Sequence, residues 1–254
     1  MRITVLTGAG ISAESGIRTF RATDGLWEEH RIEDVATPEG FRRDPVLVHR
    51  FYNMRRADAA RARPNAAHKA LARLAKSHDV TLITQNVDDL HERGGSPEVI
   101  HMHGSLLGAL CANCGHRWPA TLVMRSLDPC PSCGKPATRP DIVWFGEIPY
   151  HMDRIWKAVE DADIFAAIGT SGQVYPAAGL AQHARRNGAE TVELNLVPSA
   201  VSGDFTDAGL LLAEAGAVRE LAGPPVGPDH VVAAARRPAG LAVGLAHGRE
   251  PLHE

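Results

Sequence analysis

With 254 residues, 44% of them hydrophobic, the chain can bury a real core as one large domain with an insertion or as two domains. Its formal net charge of −3 gives no pull towards nucleic acid or an anionic membrane, so neither is an expected partner. No apolar run approaches bilayer length, and the first one begins at residue 3, leaving no room for a signal peptide. A soluble cytoplasmic protein is therefore expected, with a monomer as the default state.

Ile3, Val5 and Leu6 form a short, largely β-branched run that reads as a buried strand. Gly8, Gly10 and Ala13 follow in the G-x-G-x-x-G/A spacing that turns a strand into a helix beneath a pyrophosphate. Gly8 would permit the tight turn, and Gly10 would let backbone approach phosphate. The motif also fits a merely tight strand–helix turn. A dehydrogenase-type fold places an acid about 20 residues on, after a second strand. Here that place holds Glu28-Glu29-His30 with no apolar strand before it, which weakens the dehydrogenase reading. The segment 20–27, with Phe20, Arg21 and Trp27, reads as a packed surface loop, or one that folds over whatever the glycines hold.

Asp44-Pro45 is an N-cap followed by proline at N1, predicting a helix to about Arg63, where Pro64 stops it. Leu47, Phe51 and Met54 make a plausible core stripe, with Val48, Tyr52 and Arg55 on the next one. Tyr52 and Arg55 project together, and a phenol beside a guanidinium fork suits a carboxylate. Composition alone favours a solvated basic face, given Arg50, Arg56, Arg61 and Arg63 nearby.

Asn65 opens a second helix with Ala67, Leu71 and Leu74 inward. Residues 80–84 form a strand that runs into Gln85, Asn86, Val87 and Asp88. The same pattern recurs where 163–168 runs into Gly169, Thr170 and Ser171, and where 191–194 runs into Asn195 and Leu196. A helix over 176–187, closed by Gly188, separates those two strands. Open parallel sheets bind ligands at such strand ends, so the three together favour a nucleotide crevice. Another short strand over 99–104 carries His101 and His103, which alternate and so share a face. They could ligate metal or serve as a base, although with 13 histidines in the chain nothing local selects them.

Cys111-x-x-Cys114 and Cys130-x-x-Cys133, separated by fifteen residues, match the spacing of a zinc ribbon, and Gly115 and Gly134 suit its knuckle turns. Four thiolates close a tetrahedral site, so the metal would be structural, in a module spanning about 106–140 inserted into the larger sheet domain. Residues 141–147 read as a strand entering a turn. The tail from Gly223 is compatible with helix or disorder.

Taken together, GAGISAESGIRTFR (8–21), TQNVDDLHERGG (84–95), HMHG (101–104), the four cysteines, VWFGE (143–147), IGTS (168–171) and ELN (193–195) resemble the sirtuins, NAD-dependent protein-lysine deacylases, over about residues 3 to 222. FYNMRR (51–56) most resembles the bacterial CobB-type, class III branch. The resemblance implies an α/β fold with a Rossmann-like, parallel-sheet large domain (1–27, 65–105 and 141–222). It also implies a smaller domain built from a helical insertion (28–64) and the zinc ribbon (106–140). The expected reaction removes acetyl, malonyl or succinyl groups from protein lysines, consuming NAD and releasing nicotinamide, 2′-O-acyl-ADP-ribose and free lysine. The resemblance assigns His103 as general base, with Asn86 and Asp88 at the nicotinamide end. NAD contacts fall on Gly8, Ala9, Gly10, Ile11, Ser12, Phe20, Arg21, Trp27, Gln85, Val87, Gly169, Thr170, Ser171, Asn195, Leu196, Val197 and Ala215. Substrate contacts fall on Tyr52 and Arg55, as readers of an acyl carboxylate, and on Val143, Phe145, Gly146, Glu147 and Val174, which would hold the peptide strand. Arg18 stands where many sirtuins carry proline, and 207–217 matches poorly, which leaves the adenine contact at Ala215 a guess. Two rivals remain: an NAD-dependent mono-ADP-ribosyltransferase, and a non-catalytic zinc-ribbon protein that retains NAD.

Overall fold

The structure, a computed structural model, describes residues 1–18, 26–27 and 30–210. Phe20, Arg21, Ala215 and the tail from Gly223 lie outside the described residues. The chain begins with β1 (Arg2–Thr7), a 3-10 helix (Ala9–Ser15), β2 (Leu26–Trp27), β3 (His30–Arg31), α1 (Ile32–Val35), α2 (Pro38–Arg43), α3 (Pro45–Arg61) and α4 (Ala66–Leu74). Next come β4 (Asp79–Thr84), α5 (Leu90–Arg93), β5 (Ile100–His101), β6 (Gly104–Cys111), β7 (Arg117–Pro119), β8 (Thr138–Ile142) and α6 (Met152–Glu160). The described chain closes with β9 (Ile164–Ile168), a 3-10 turn (Ala177–Gly179), α7 (Leu180–Arg186), β10 (Glu190–Asn195), a second 3-10 turn (Ser202–Asp204) and β11 (Asp207–Leu210).

Six strands form one parallel sheet in the order β11-β10-β9-β1-β4-β5. Counted in chain order within the sheet this is 6-5-4-1-2-3, the doubly wound Rossmann order, with its switch point between β1 and β9. The strands alternate between two cores, as a sheet covered on both faces requires. Leu6, Phe165 and Ala167 pack with α6 and α7 through Ile155, Val159 and Leu180. Ile3, Val5, Ile164, Ala166 and Ile168 pack with α4 through Ala70, Leu71 and Leu74. Beside this sheet, β7-β6-β8 form a small antiparallel sheet carrying the cysteines.

α3 packs on the small sheet through Leu106 and Ile142, and against Val87 and Leu90 beyond the end of β4. The Asp44 carboxylate caps it by accepting from the Leu47 N–H at 2.9 Å, and it ends at Arg61, two residues before the expected stop. The expected core stripe is displaced: Met54 is 39% exposed, whereas Val48, Tyr52 and Arg55 are buried with Phe51. Arg56 is also buried rather than solvated. Its Nε donates to the Leu106 carbonyl at 2.7 Å and its Nη1 to Asn53 Oδ1 at 2.8 Å. Asn53 in turn donates to the Met124 carbonyl and accepts the Met124 N–H, which ties α3 to the cysteine module. A buried guanidinium is tolerated because its donors meet acceptors.

Several elements are shorter than the sequence pattern predicts. The strand expected over 99–104 holds only Ile100 and His101, because Gly104 (φ +82) turns the chain into β6. The strand expected over 141–147 stops at Ile142, leaving 143–147 as a loop. The helix expected over 176–187 begins as a 3-10 turn and becomes α-helical only from Leu180.

Gly8 and Gly10 are required by packing. Gly8 has an ordinary extended φ of −124. A Cβ on Gly10 would sit 2.8 Å from both Cα and O of Gly169, and one on Gly8 would sit 2.7 Å from the Gly169 carbonyl oxygen. The exits of β1 and β9 touch backbone to backbone, joined by the Gly10 N–H donating to the Gly169 carbonyl at 2.8 Å. Gly10→Ala is expected to destabilise the ligand-free protein by about 1–3 kcal/mol, as overpacking against backbone does. Denaturant unfolding checks this, and an unchanged midpoint would contradict the close crossing.

Candidate active site

A cleft of about 790 Å³ opens at the carboxyl ends of β1, β4, β9 and β10. Its sheet-side wall is Ala9, Gly10, Ile11 and Ser12, then Gln85, Asn86, Val87 and Asp88, then Gly169, Thr170 and Ser171, then Asn195, Leu196 and Val197. Trp27, Tyr52, Arg55, His103, Val143, Phe145, Gly146, Glu147 and Val174 also line it. Among the described candidates for this cleft only Gly8 does not line it; its main chain is tied behind the wall to the Ile168 carbonyl.

The floor is a buried polar network. Asn86 Nδ2 donates to Ser12 Oγ at 3.1 Å, and Ser12 donates to Asp88 Oδ2 at 3.2 Å. The Leu90 N–H supplies Asp88 Oδ1. Burial pushes the Asp88 carboxyl up, against the hydrogen bonds from Leu90 and Ser12 that hold it down. His68 Nε2 lies 3.5 Å from Ser12 Oγ, and Asn65, the N-cap of α4, donates its amide to the Ile11 carbonyl at 2.7 Å. The start of α4 is thereby fastened to the glycine loop. Behind the network, the Thr7 hydroxyl donates to Thr84 Oγ1, so it accepts the N–H of His91 Nε2 at 2.9 Å. Burial holds His68 down at about 4 and His91 at about 3.

His101 and His103 differ despite their alternation. His103 Nδ1 lies 3.2 Å from the Gln85 carbonyl oxygen. A carbonyl only accepts, so Nδ1 carries the proton and Nε2 keeps its lone pair. Burial lowers the His103 pKa, with the Gln85 contact acting weakly the other way. His101 instead meets the Asn86 carbonyl and the Glu92 carboxylate.

The opposite wall is apolar and aromatic, with cations set into it. The Tyr52 hydroxyl accepts from Trp144 Nε1 at 3.0 Å. Burial pushes the Tyr52 phenol well up, so it stays protonated. The Arg139 guanidinium stacks 3.5 Å over the Trp144 ring and makes a two-point ion pair with Glu147 at 2.8 and 2.9 Å. Arg55 lies 5.0 Å over the Trp27 ring and donates to the Arg18 carbonyl at 3.4 Å. At the far end, Gln85 Nε2 donates to Thr170 Oγ1, and Asn195 Nδ2 donates to the Thr170 carbonyl and to Glu193 Oε1. Asn65, His68, Trp144, Arg139 and Glu193 were not selected as site residues from sequence. Their partners lie up to 92 residues away, and only the VWFGE and ELN strings contained a hint.

The four cysteine Sγ atoms lie within 4.8 Å of one another, and no other such cluster of ligand side chains occurs among the described residues. The Cys111–Cys133 and Cys114–Cys130 sulfurs are 3.7 and 3.8 Å apart. A tetrahedron with bonds of about 2.3 Å has sulfur–sulfur edges of about 3.8 Å, so the set fits one zinc ion. Gly115 (φ +72) and Gly134 (φ +71) close the two knuckles by donating to the Cys111 and Cys130 carbonyls. The four cysteines are thus positioned to bind a structural metal ion.

Fold and cleft define a doubly wound α/β protein with a ligand crevice at its switch point and a cysteine metal module beside it. The model of the Sir2 family matches residues 8–176. The NAD-dependent protein deacylase of Escherichia coli (strain K12) is 58% identical over 211 residues, covering 81% of this chain and 76% of that protein. The protein of the same name from Vibrio cholerae serotype O1 is 57% identical over 212 residues, covering 81% and 85%. A solved Sir2 homolog–NAD complex aligns with a TM-score of 0.80 at 39% identity, covering 91% of this chain and 90% of that one. The chain belongs to the Sir2 family.

Because His68 and His91 are held neutral, the unfolded chain binds more protons than the folded one below about pH 6.5. Their contribution to stability is whole above that pH and is lost as pH falls towards the lowered values. The denaturant midpoint should therefore drop on acidification, and less steeply in His91→Gln, which keeps a donor for Thr7 and does not titrate. Parallel slopes in the two proteins would contradict the burial of a neutral His91.

Proposed function

We propose that the chain is an NAD-dependent protein-lysine deacylase acting on succinyl and malonyl as well as acetyl lysine. It releases nicotinamide, 2′-O-acyl-ADP-ribose and free lysine. The observation that carries this is the pairing across one cleft of a neutral histidine base, His103, with a buried Tyr52–Arg55 pair. The names of the relatives support the NAD-dependent activity.

The cleft fits NAD. Asp88 spends one acceptor position per oxygen on Leu90 and Ser12, which leaves further lone pairs for an amide such as that of nicotinamide. Gly8 to Ser12 supply a backbone turn for the pyrophosphate, and Gly169, Thr170, Ser171, Asn195, Leu196 and Val197 offer the adenosine side. Bound NAD would supply the ribose carbon that nicotinamide leaves and the ribose hydroxyl on which the acyl group ends as an ester, with one water consumed in freeing the lysine. His103 Nε2 takes the proton of a ribose hydroxyl. Its lowered pKa keeps it neutral at physiological pH, as a base must be. Ser12 fixes the Asn86 amide and the Asp88 carboxylate at the buried end. The peptide backbone adds as a strand between 143–147 and Gln173 to Tyr175.

Trp144 donates to the Tyr52 oxygen, so the single phenol proton is directed elsewhere and is available to an acyl carboxylate. Arg55 supplies the matching charge in a largely apolar wall, where a carboxylate needs a partner to offset its desolvation. The large domain is assigned to 1–27, 65–105 and 141–222, and the small one to 28–64 and 106–140. Acylated proteins are the substrates. No helix among the described residues is long and apolar enough to cross a membrane.

One lysine peptide carrying acetyl, malonyl or succinyl tests the proposal, with turnover read by mass spectrometry with and without NAD. Arg55→Met is expected to reduce kcat/KM for the two acidic acyl groups by about 2–5 kcal/mol, as loss of one member of a buried charge pair does, while acetyl turnover persists. Equal losses for all three would make Arg55 structural. Absence of NAD-dependent turnover by the zinc-loaded wild type would contradict the deacylase assignment.

A further inference from the structure

Both ring nitrogens of His101 face groups that only accept hydrogen bonds. Nδ1 lies 3.0 Å from the Asn86 carbonyl oxygen, and Nε2 lies 2.6 Å from Oε1 of Glu92. A neutral imidazole has one N–H and one lone pair, so either tautomer would set a lone pair against an oxygen in one contact. Protonating Glu92 would remove that conflict, but its side chain is 43% exposed and its pKa is lowered despite partial burial, so it is ionised. Only the doubly protonated ring satisfies both contacts, and the contact to Glu92 is short, in the direction that charge assistance shortens a hydrogen bond.

The anchored carbonyl belongs to a residue of the cleft floor. Asn86 is held at three points: its N–H donates to Thr84 Oγ1 at 3.0 Å, its side chain donates to Ser12, and its carbonyl accepts from His101. His101 is on β5 and Glu92 on α5, so the ion pair clamps the turn that carries Asn86 and Asp88 between those elements.

We propose that His101 is a positioning residue: as an imidazolium paired with Glu92, it holds the Asn86 carbonyl and thereby sets where the Asn86 amide and the Asp88 carboxylate stand in the cleft. Its activity readout rests on the deacylase assignment, whereas its protonation and its hold on Asn86 can be measured without turnover.

The titratable groups facing His101 are Glu92 and His91 on α5 and Asp88 in the turn. Burial lowers the His101 pKa, but the bond and charge of Glu92, then the Asn86 carbonyl and Asp88, raise it above the usual value on balance. His91, held near 3, adds no charge at neutral pH. Once Glu92 is ionised, the clamp is therefore whole up to about pH 6.5 and is lost as pH rises through the raised value. An alkaline limb in the deacylation profile follows, separate from the acid limb set by His103.

The test is NMR of the full chain with labelled histidine and asparagine, alongside pH profiles of kcat/KM. Both nitrogens of His101 should be protonated at neutral pH, and the Asn86 side-chain amide signals should follow the midpoint of that ring. Glu92→Gln should lower that midpoint and move the alkaline limb down with it. His101→Ala should reduce kcat about ten- to a hundred-fold with little change in peptide KM, the scale of a small misplacement of reacting groups. His101→Gln, whose amide still donates to the Asn86 carbonyl, should recover part of the loss without the alkaline limb. A bare ring nitrogen at neutral pH, Asn86 signals indifferent to the titration, or a limb unmoved in Glu92→Gln would each overturn the proposal. Inactivity of the wild type towards every acyl peptide would instead overturn the deacylase assignment, with the NMR midpoints still deciding whether His101 holds Asn86.

Discussion

Two chain exits cross at the centre of the parallel sheet with no side chain between them, and much of the site depends on that contact. The glycines after β1 and the glycine after β9 lie backbone against backbone, closer than a Cβ would permit. A doubly wound sheet opens its crevice where neighbouring strands send their connections to opposite sides. Here the crossing brings the glycine loop beside Thr170 and Ser171, and the Asn65 amide fastens that loop to α4. Ser12 is thus fixed where one hydroxyl serves both Asn86 and Asp88. These bonds hold the floor in place in the absence of ligand, as electrostatic preorganisation requires.

The facing wall solves a different problem, that of holding cations in apolar surroundings. Arg139 is neutralised by Glu147 and rests on Trp144, and Arg56 spends its donors on main-chain and amide oxygens. These arrangements are structural. Arg55 differs in that its side chain lines the cleft beside a tyrosine whose oxygen already accepts from Trp144. On the proposed reading, Arg55 and the Tyr52 O–H are the groups of this wall that would meet an acyl carboxylate.

The parts written in local chemistry were legible in the sequence. Apolar β-branched runs gave β1, β4, β9 and β10 within a residue, Asp44-Pro45 gave the start of α3, and the cysteine spacing gave the metal module. What escaped notice depends on distant partners. Whether Arg55 and Arg56 are buried turns on carbonyls 37 and 50 residues away, and helical periodicity could not rank Met54 against Tyr52 when α3 is covered on more than one side. The two histidines of HMHG look alike in the sequence, yet one faces a single acceptor and the other two. The sequence suggested why Gly10 lacks a side chain on the cleft side, but not that Gly169 packs against it from β9.

The central claim is that this cleft passes an acyl group from lysine to the ribose of NAD. A lysine peptide bearing an isotopically labelled acyl group, incubated with NAD and the zinc-loaded protein, tests it when all small-molecule and peptide products are weighed. The account predicts one nicotinamide and one labelled acyl-ADP-ribose for each lysine freed. Label released as a free carboxylate with NAD intact, or ADP-ribose found on the peptide, would contradict it.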